Sequence, residues 1–263
     1  MKAAGWLLVN TVQALFLAVW SVIWMTTSYI VRIFSRELPV AISRACWSPA
    51  LLGITGARVV VLPAEAPIDR SRPHIFMMNH QSLLDIPLVM ASIPVNLRFI
   101  AKSSLRWVPF LGWYMAATGM CFIDRRRHAD ALKSLDRAVR RLGRGESLFA
   151  FPEGTRSRDG RIGPFKKGVF VAAIQAGASI IPVASDGTGR VLPPDGFAIR
   201  PGEIRLRIGR SIDAAQYRLD QRDDLMRAVR AAMIEMHGGL GGAGGVADDA
   251  TLAAVPSGQA SAT

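Results

Sequence analysis

The chain has 263 residues, half of them hydrophobic, with 32 lysines and arginines against 20 acidic residues, a formal charge of +12. That length suffices for one substantial α/β domain with extensions, and two isolated cysteines, Cys46 and Cys121, exclude a disulfide framework or a cysteine metal centre. The basic surplus points to a polyanionic partner, anionic lipid or nucleic acid, without choosing between them.

From Gly5 to Val31 there is no charged residue, and tryptophan, leucine, valine and phenylalanine dominate. About 20 apolar residues cross a bilayer core, so this segment is long enough to span. It is too long for an ordinary signal peptide and lacks a clear small-x-small cleavage pattern. Asn10, Gln13 and several hydroxyl residues interrupt it, and a buried core helix is the competing reading. Arg32, Arg36 and Arg44 follow it while only Lys2 precedes it, so a spanning segment would place the next domain on the cytoplasmic side. The stretch from Leu38 to Gly56 holds Arg44 and Pro49 and reads as an interfacial helix. Residues 1–57 therefore form an expected membrane-anchoring helical region.

Beyond Arg58, short apolar runs alternate with helical periods. Residues 59–62 and 75–78 read as buried strands, the second ending at Asn79-His80. A helix is expected over 87–91 and a longer one over 129–142. Gly143 stops the latter, and Arg137, Arg140, Arg141 and Arg144 near its end suit the helix dipole. Strands over 147–151, 179–183 and 204–208 and helices over 169–176 and 223–236 complete the pattern. In 204–208, Arg205 and Arg207 alternate with apolar residues, which gives one wet face. The prediction is an α/β catalytic domain over 58–237, with a mixed, largely parallel sheet covered by helices. Residues 238–263 are mostly glycine, alanine and serine, and are expected to form a disordered, dispensable tail.

Four short segments stand out. Asn79-His80-Gln81-Ser82-Leu83-Leu84-Asp85 supplies a histidine, a base near neutral pH, and a carboxylate able to fix its tautomer. A continuous helix would turn the two apart by about 140°. Pro87 argues that regular helix begins only near Asp85, which leaves His80 on a strand-exit loop able to fold back. Ser82 and Asp85 equally fit a capping box, a purely structural reading. Gly119 to Arg125 reads as an apolar strand ending in an arginine, which either meets a phosphate or is simply solvated. Phe151-Pro152-Glu153-Gly154-Thr155-Arg156-Ser157 reads as a tight loop after a strand. It holds either an acceptor and a phosphate-binding fork or a local ion pair. Ile181-Pro182-Val183 is uninformative alone.

In this order and spacing the segments resemble motifs I to IV of the lysophospholipid acyltransferase family. The pattern is nearest to the bacterial members that acylate 1-acyl-sn-glycerol 3-phosphate. The likeness covers residues 58–212, and Phe165-Lys166-Lys167-Gly168 is similar to the family's sequence after motif III. The apolar amino terminus is similar to the family's membrane anchor. By this resemblance His80 and Asp85 are the catalytic dyad, and Arg125, Glu153, Gly154 and Arg156 bind the acceptor. Lys102, in Ala101-Lys102-Ser103-Ser104-Leu105, matches a lysine that helps bind the phosphate, although the family often has glutamate where Ser104 stands.

The resemblance implies transfer of a fatty acyl group from acyl-CoA or acyl-carrier protein to the sn-2 hydroxyl of lysophosphatidic acid. Phosphatidic acid would form at a bacterial inner membrane, with the catalytic domain facing the cytoplasm. The bilayer, the lysolipid and the thioester donor are the expected partners, and their anionic groups match the basic surplus; nucleic acid is not expected. No cofactor is implied and no metal: His74, His80, His128 and His237 have no ligand spacing, and Cys121 reads as core rather than nucleophile. Three alternatives remain: another acceptor such as lyso-ornithine lipid, a non-enzymatic basic membrane or nucleic-acid binder, and a hydrolase, which would lack the Gly-x-Ser-x-Gly elbow.

Overall fold

In the computed structural model, which describes residues 3–35, 37–123 and 128–246, one eight-stranded sheet organises the chain. Its strands are β1 (Arg58–Val61), β2 (His74–Met78), β3 (Leu97–Lys102), β4 (Cys121–Ile123), β5 (Ser147–Ala150), β6 (Ser179–Asp186), β7 (Glu203–Ile208) and β8 (Ile212–Asp213). Their order is β1-β7-β6-β2-β5-β3-β4, with β8 beside β6. All neighbouring pairs from β6 to β4 are parallel, whereas β6 pairs antiparallel with β7 and β8. The expected mixed, largely parallel sheet is thus present.

Side-chain alternation in β2 divides the core in two. Phe76 and Met78 face a layer that includes α1 (Ala3–Val31), α2 (Leu38–Ile42), α3 (Ser48–Ile54), α4 (Asp85–Ser92) and α5 (Leu111–Ala117). Ile75 and Met77 face α6 (His128–Leu142), α7 (Gly168–Ala176) and α9 (Arg222–Gly239) on the other side. All four are fully buried, and burial of each contributes about 1.5–3 kcal/mol. The remaining helix, α8 (Thr188–Val191), is a single turn after β6.

Helix α1 is long and apolar enough to cross a membrane by length and composition. Leu8, Val12, Leu15, Val19, Ile23 and Ile30 form an exposed stripe along it, which disposes of the buried-core-helix reading. Its opposite side is tied to the rest of the protein along its length. Asn10 exchanges hydrogen bonds with the backbone of Ile199, Gln13 donates to the Ile54 carbonyl, Ser21 accepts from Trp47, and Arg32 donates to the Ala117 carbonyl. Asn10 to Arg32 covers about 33 Å of helix.

Three expectations need correction. The 59–62 strand is not buried: β1 lies at the sheet edge with every residue at least partly exposed, because only β7 flanks it. The 38–56 segment does not stand apart from the rest of the fold. α2 and α3 join through a π-turn, Ser43–Trp47; Val40, Leu51 and Leu52 are buried, and Ser43 and Arg44 bond to Tyr114 in α5 and to Asn96 just before β3. The tail does not begin at 238 either. α9 continues to Gly239, Leu240 is 1% exposed in the core, and the chain docks through Val246 by backbone pairing to Ile162. Residues 247–263 lie outside the described residues.

Candidate active site

The parallel strands β2, β5 and β3 deliver the segments that follow them to one edge of the sheet, the usual place for ligand chemistry in such folds. The Asn79 amide donates to the Ser185 carbonyl and accepts from the Ser185 N–H, both at 2.9 Å, which extends the β2–β6 ladder past the end of β2. This holds the exit of β2 rigidly. His80 is next, and the loop after β5 grips its backbone at both ends. The His80 N–H donates to Glu153 Oε1 at 2.8 Å, and its carbonyl accepts from the Ser157 N–H at 2.7 Å.

Asp85 opens α4 and is fully buried. Its Oδ2 accepts from His80 Nδ1 at 2.7 Å, from the Gln81 N–H at 2.7 Å and from the Ser82 N–H at 2.9 Å. The capping and dyad readings of this segment therefore meet on one carboxylate. The Ser82 hydroxyl takes no part in a reciprocal box: it donates to the Leu192 carbonyl and accepts from the Leu84 N–H. With Nδ1 donating to Asp85, the free lone pair of the imidazole lies on Nε2.

The His80 ring stacks on Phe151 at 3.8 Å between centroids and, with it, lines a cavity of about 500 Å³. The walls are apolar and come from α1, the α2–α3 segment, α4, β3 and α5, through residues such as Met25, Trp47, Met90, Phe99 and Met115. This is the size and character of a lipid or small-molecule site. Lys102, exposed at the end of β3, and Gly154, with φ of +73°, also line it.

The site thus brings together His80, Asp85, Lys102 and Gly154. Glu153 departs from its expected acceptor-binding role: it is 4% exposed, and its second oxygen accepts from the Gly163 N–H at 2.8 Å. Burial raises its carboxyl above the ordinary range, and the N–H groups of Gly163 and His80 oppose that rise. Its carboxylate clamps backbone, so it positions His80 instead of facing a ligand. Arg156 is half-buried on the same loop, with no hydrogen bond or ion pair to another described residue. Arg125 lies outside the described residues.

Sequence reasoning missed two residues behind the dyad. Gln81 is 3% exposed and points away from the cavity, its amide contacting the Gly160 carbonyl and His237 Nε2, both at 3.1 Å. The alternation of β2, carried three residues further, was the available signal: Phe76, Met78 and His80 face the cavity layer, whereas Ile75, Met77 and Gln81 face the α9 side.

The acyltransferase family profile matches residues 60–186, which span the dyad, Lys102 and the Glu153 loop. Residues 60–186 are thus similar to the acyltransferase family. Over 141 residues the protein is 37% identical to a chloroplastic 1-acyl-sn-glycerol-3-phosphate acyltransferase of Brassica napus, covering 53% of this chain and 41% of that protein. A Saccharomyces cerevisiae 1-acyl-sn-glycerol-3-phosphate acyltransferase is 34% identical over 167 residues, 62% of this chain and 55% of the yeast protein. The chain thus spans about half the length of these curated relatives. The crystal structure of the 1-acyl-sn-glycerophosphate acyltransferase of Thermotoga maritima superposes with a TM-score of 0.78 at 26% identity, covering 92% of this chain and 98% of that one. The sheet and the amino-terminal helices therefore share one architecture with that structure.

Proposed function

We propose that this protein transfers a fatty acyl group to the sn-2 hydroxyl of 1-acyl-sn-glycerol 3-phosphate, forming phosphatidic acid. The observation that carries this reading is a histidine, oriented by a buried carboxylate, in the wall of an apolar cavity that a lysine also lines. The names of the relatives support the acceptor.

In the proposed reaction His80 Nε2 takes the proton of the acceptor hydroxyl as its oxygen attacks the thioester carbonyl, help of about 10²–10⁴-fold. The tetrahedral intermediate collapses by breaking the carbon–sulfur bond, and the departing thiolate recovers the proton from the imidazolium. Asp85 holds the ring and stabilises its charge between the two transfers. Lys102, Arg156 and Arg125 grip the acceptor phosphate and so fix the hydroxyl. The apolar cavity receives an acyl chain, and either acyl-CoA or acyl-carrier protein serves as donor.

The membrane relation follows from α1. Its hydrogen bonds to the rest of the protein near both ends and in the middle support a placement along the membrane surface with its apolar stripe inserted. Arg32 and Arg44 make structural hydrogen bonds, so their charge carries less weight for orientation than sequence suggests.

The test is an acceptor panel in vesicles: lysophosphatidic acid, other lysophospholipids and the phosphate-free lyso-ornithine lipid, each with CoA and carrier-protein thioesters. Phosphatidic acid formation dominating the panel supports the proposal. Transfer confined to the phosphate-free acceptor overturns the assigned acceptor, and no transfer from either donor overturns the reaction.

A further inference from the structure

The glycine-rich segment after α9 lies on the face of the sheet opposite the cavity, yet it reaches the backbone of the catalytic loop by two short routes. Along the first, the Ile162 N–H donates to the Gly244 carbonyl, and the Val246 N–H donates to the Ile162 carbonyl. Arg230, 4% exposed, locks this junction by donating to the carbonyls of Ile162, Gly163 and Val246. The adjacent Gly163 N–H holds Glu153 Oε2, and Glu153 Oε1 holds the His80 N–H.

The second route starts at His237, fully buried in the last turn of α9. Its ring meets the Gln81 amide, which also bonds the Gly160 carbonyl, while the Gln81 N–H is one of the three donors on Asp85. Gly242 closes over that ring: a Cβ there would sit 2.2 Å from His237 Nε2, and its N–H donates to the His237 carbonyl. Gly241 and Gly244 have φ of +89° and +73°, conformations that glycine adopts at no steric cost. The composition that reads as disorder is what lets this backbone lie flat against its neighbours.

We infer that residues 241–246 form a strap that positions the catalytic loop, with Arg230, His237 and Gly242 as positioning residues for His80 and Asp85. None of them touches the cavity, so the strap acts on turnover through the placement of the imidazole. This rests on the proposed role of His80, since a strap behind a loop without chemistry would affect only stability.

The test compares full-length protein with chains ending at Val246 and at Leu240, the latter keeping the buried Leu240, together with Gly242→Ala and the control Gly238→Ala, whose Cβ would meet nothing within 4 Å. Acyl transfer in vesicles gives kcat and KM, and hydrogen exchange follows the amides of His80 and Gly163. The chain ending at Val246 and Gly238→Ala should match full-length protein. The chain ending at Leu240 and Gly242→Ala should lose kcat by about 10²-fold, the cost of displacing a catalytic group by about 1 Å. Their KM should stay unchanged, and the two amides should exchange faster. Full kcat in the chain ending at Leu240 overturns the strap. So does unchanged exchange at His80 and Gly163, whether or not activity falls through loss of folded protein. If the full-length protein transfers nothing, the proposed reaction falls, while the exchange measurement still decides whether the strap holds the loop.

Discussion

Two histidine–carboxylate pairs stand close together at the same sheet edge and have opposite prospects. His80 and Asp85 meet at 2.7 Å, with the ring 16% exposed in the cavity wall. His237 and Asp186 stand 3.7 Å apart, sealed on the other face of the sheet, with the ring fully buried and Arg190 also on the carboxylate. Burial raises the Asp186 carboxyl, but His237 and Arg190 outweigh it and hold the group down at about 2. A histidine beside a carboxylate is therefore no sufficient sign of catalysis. Access of one ring nitrogen to a substrate-sized cavity separates the two pairs, and the residue pair Gln81–Asp85 couples them through backbone.

Substitutions on either side sharpen the contrast. His80→Ala should lower kcat by about 10²–10⁴-fold while folding and vesicle binding persist, as initial rates and flotation would report. Arg156→Ala should raise KM for a phosphate-bearing acceptor by about tenfold to a hundredfold, the loss of a charge-assisted hydrogen bond of about 1.5–3 kcal/mol. It should leave transfer to a phosphate-free lysolipid unaffected. His237→Asn should reduce kcat by about tenfold without altering the shape of the pH–rate profile, because His237 carries no proton in the reaction. A profile that changes shape would mean that the buried pair takes part in proton transfer.

The smallest expected effect concerns acid stability. The Asp186 carboxyl is lowered on folding from its ordinary value of 3.8 to about 2, so its stabilisation is present above the unfolded value. It is lost as pH falls through about 2. Arg190→Ala removes two hydrogen bonds to that carboxylate and should move the loss to higher pH, seen as an earlier acid transition by circular dichroism. An unchanged transition would show that this pair does not contribute to acid stability.

Where neighbours in sequence are also neighbours in space, the chain could be read. The run 75–78 announces a buried strand, Pro87 fixes the start of α4 at Asp85, and His80 lies five residues from the carboxylate that orients it. Long-range partners hid the rest. β3 went unread because Arg98 sits within it, yet Arg98 is 4% exposed, its guanidinium 2.5 Å from Glu37. α5 is entered through Phe110, its N-cap, whose φ of +61° no local pattern announces. Glu153 resembles a ligand-binding acid in sequence and becomes a backbone clamp only through Gly163 and His80. Gln81 and His237 are 156 positions apart. The glycine-rich tail misled because composition reports what side chains can bury, whereas this segment is held by its backbone.

The most direct test of the account is single-turnover acyl transfer to lysophosphatidic acid in vesicles, with His80→Ala beside His237→Ala at equal folded concentration. The account predicts near-complete loss of transfer in His80→Ala and a partial loss in His237→Ala. Wild-type transfer by His80→Ala, or the larger loss in His237→Ala, would contradict it, because the base would then lie outside the cavity wall.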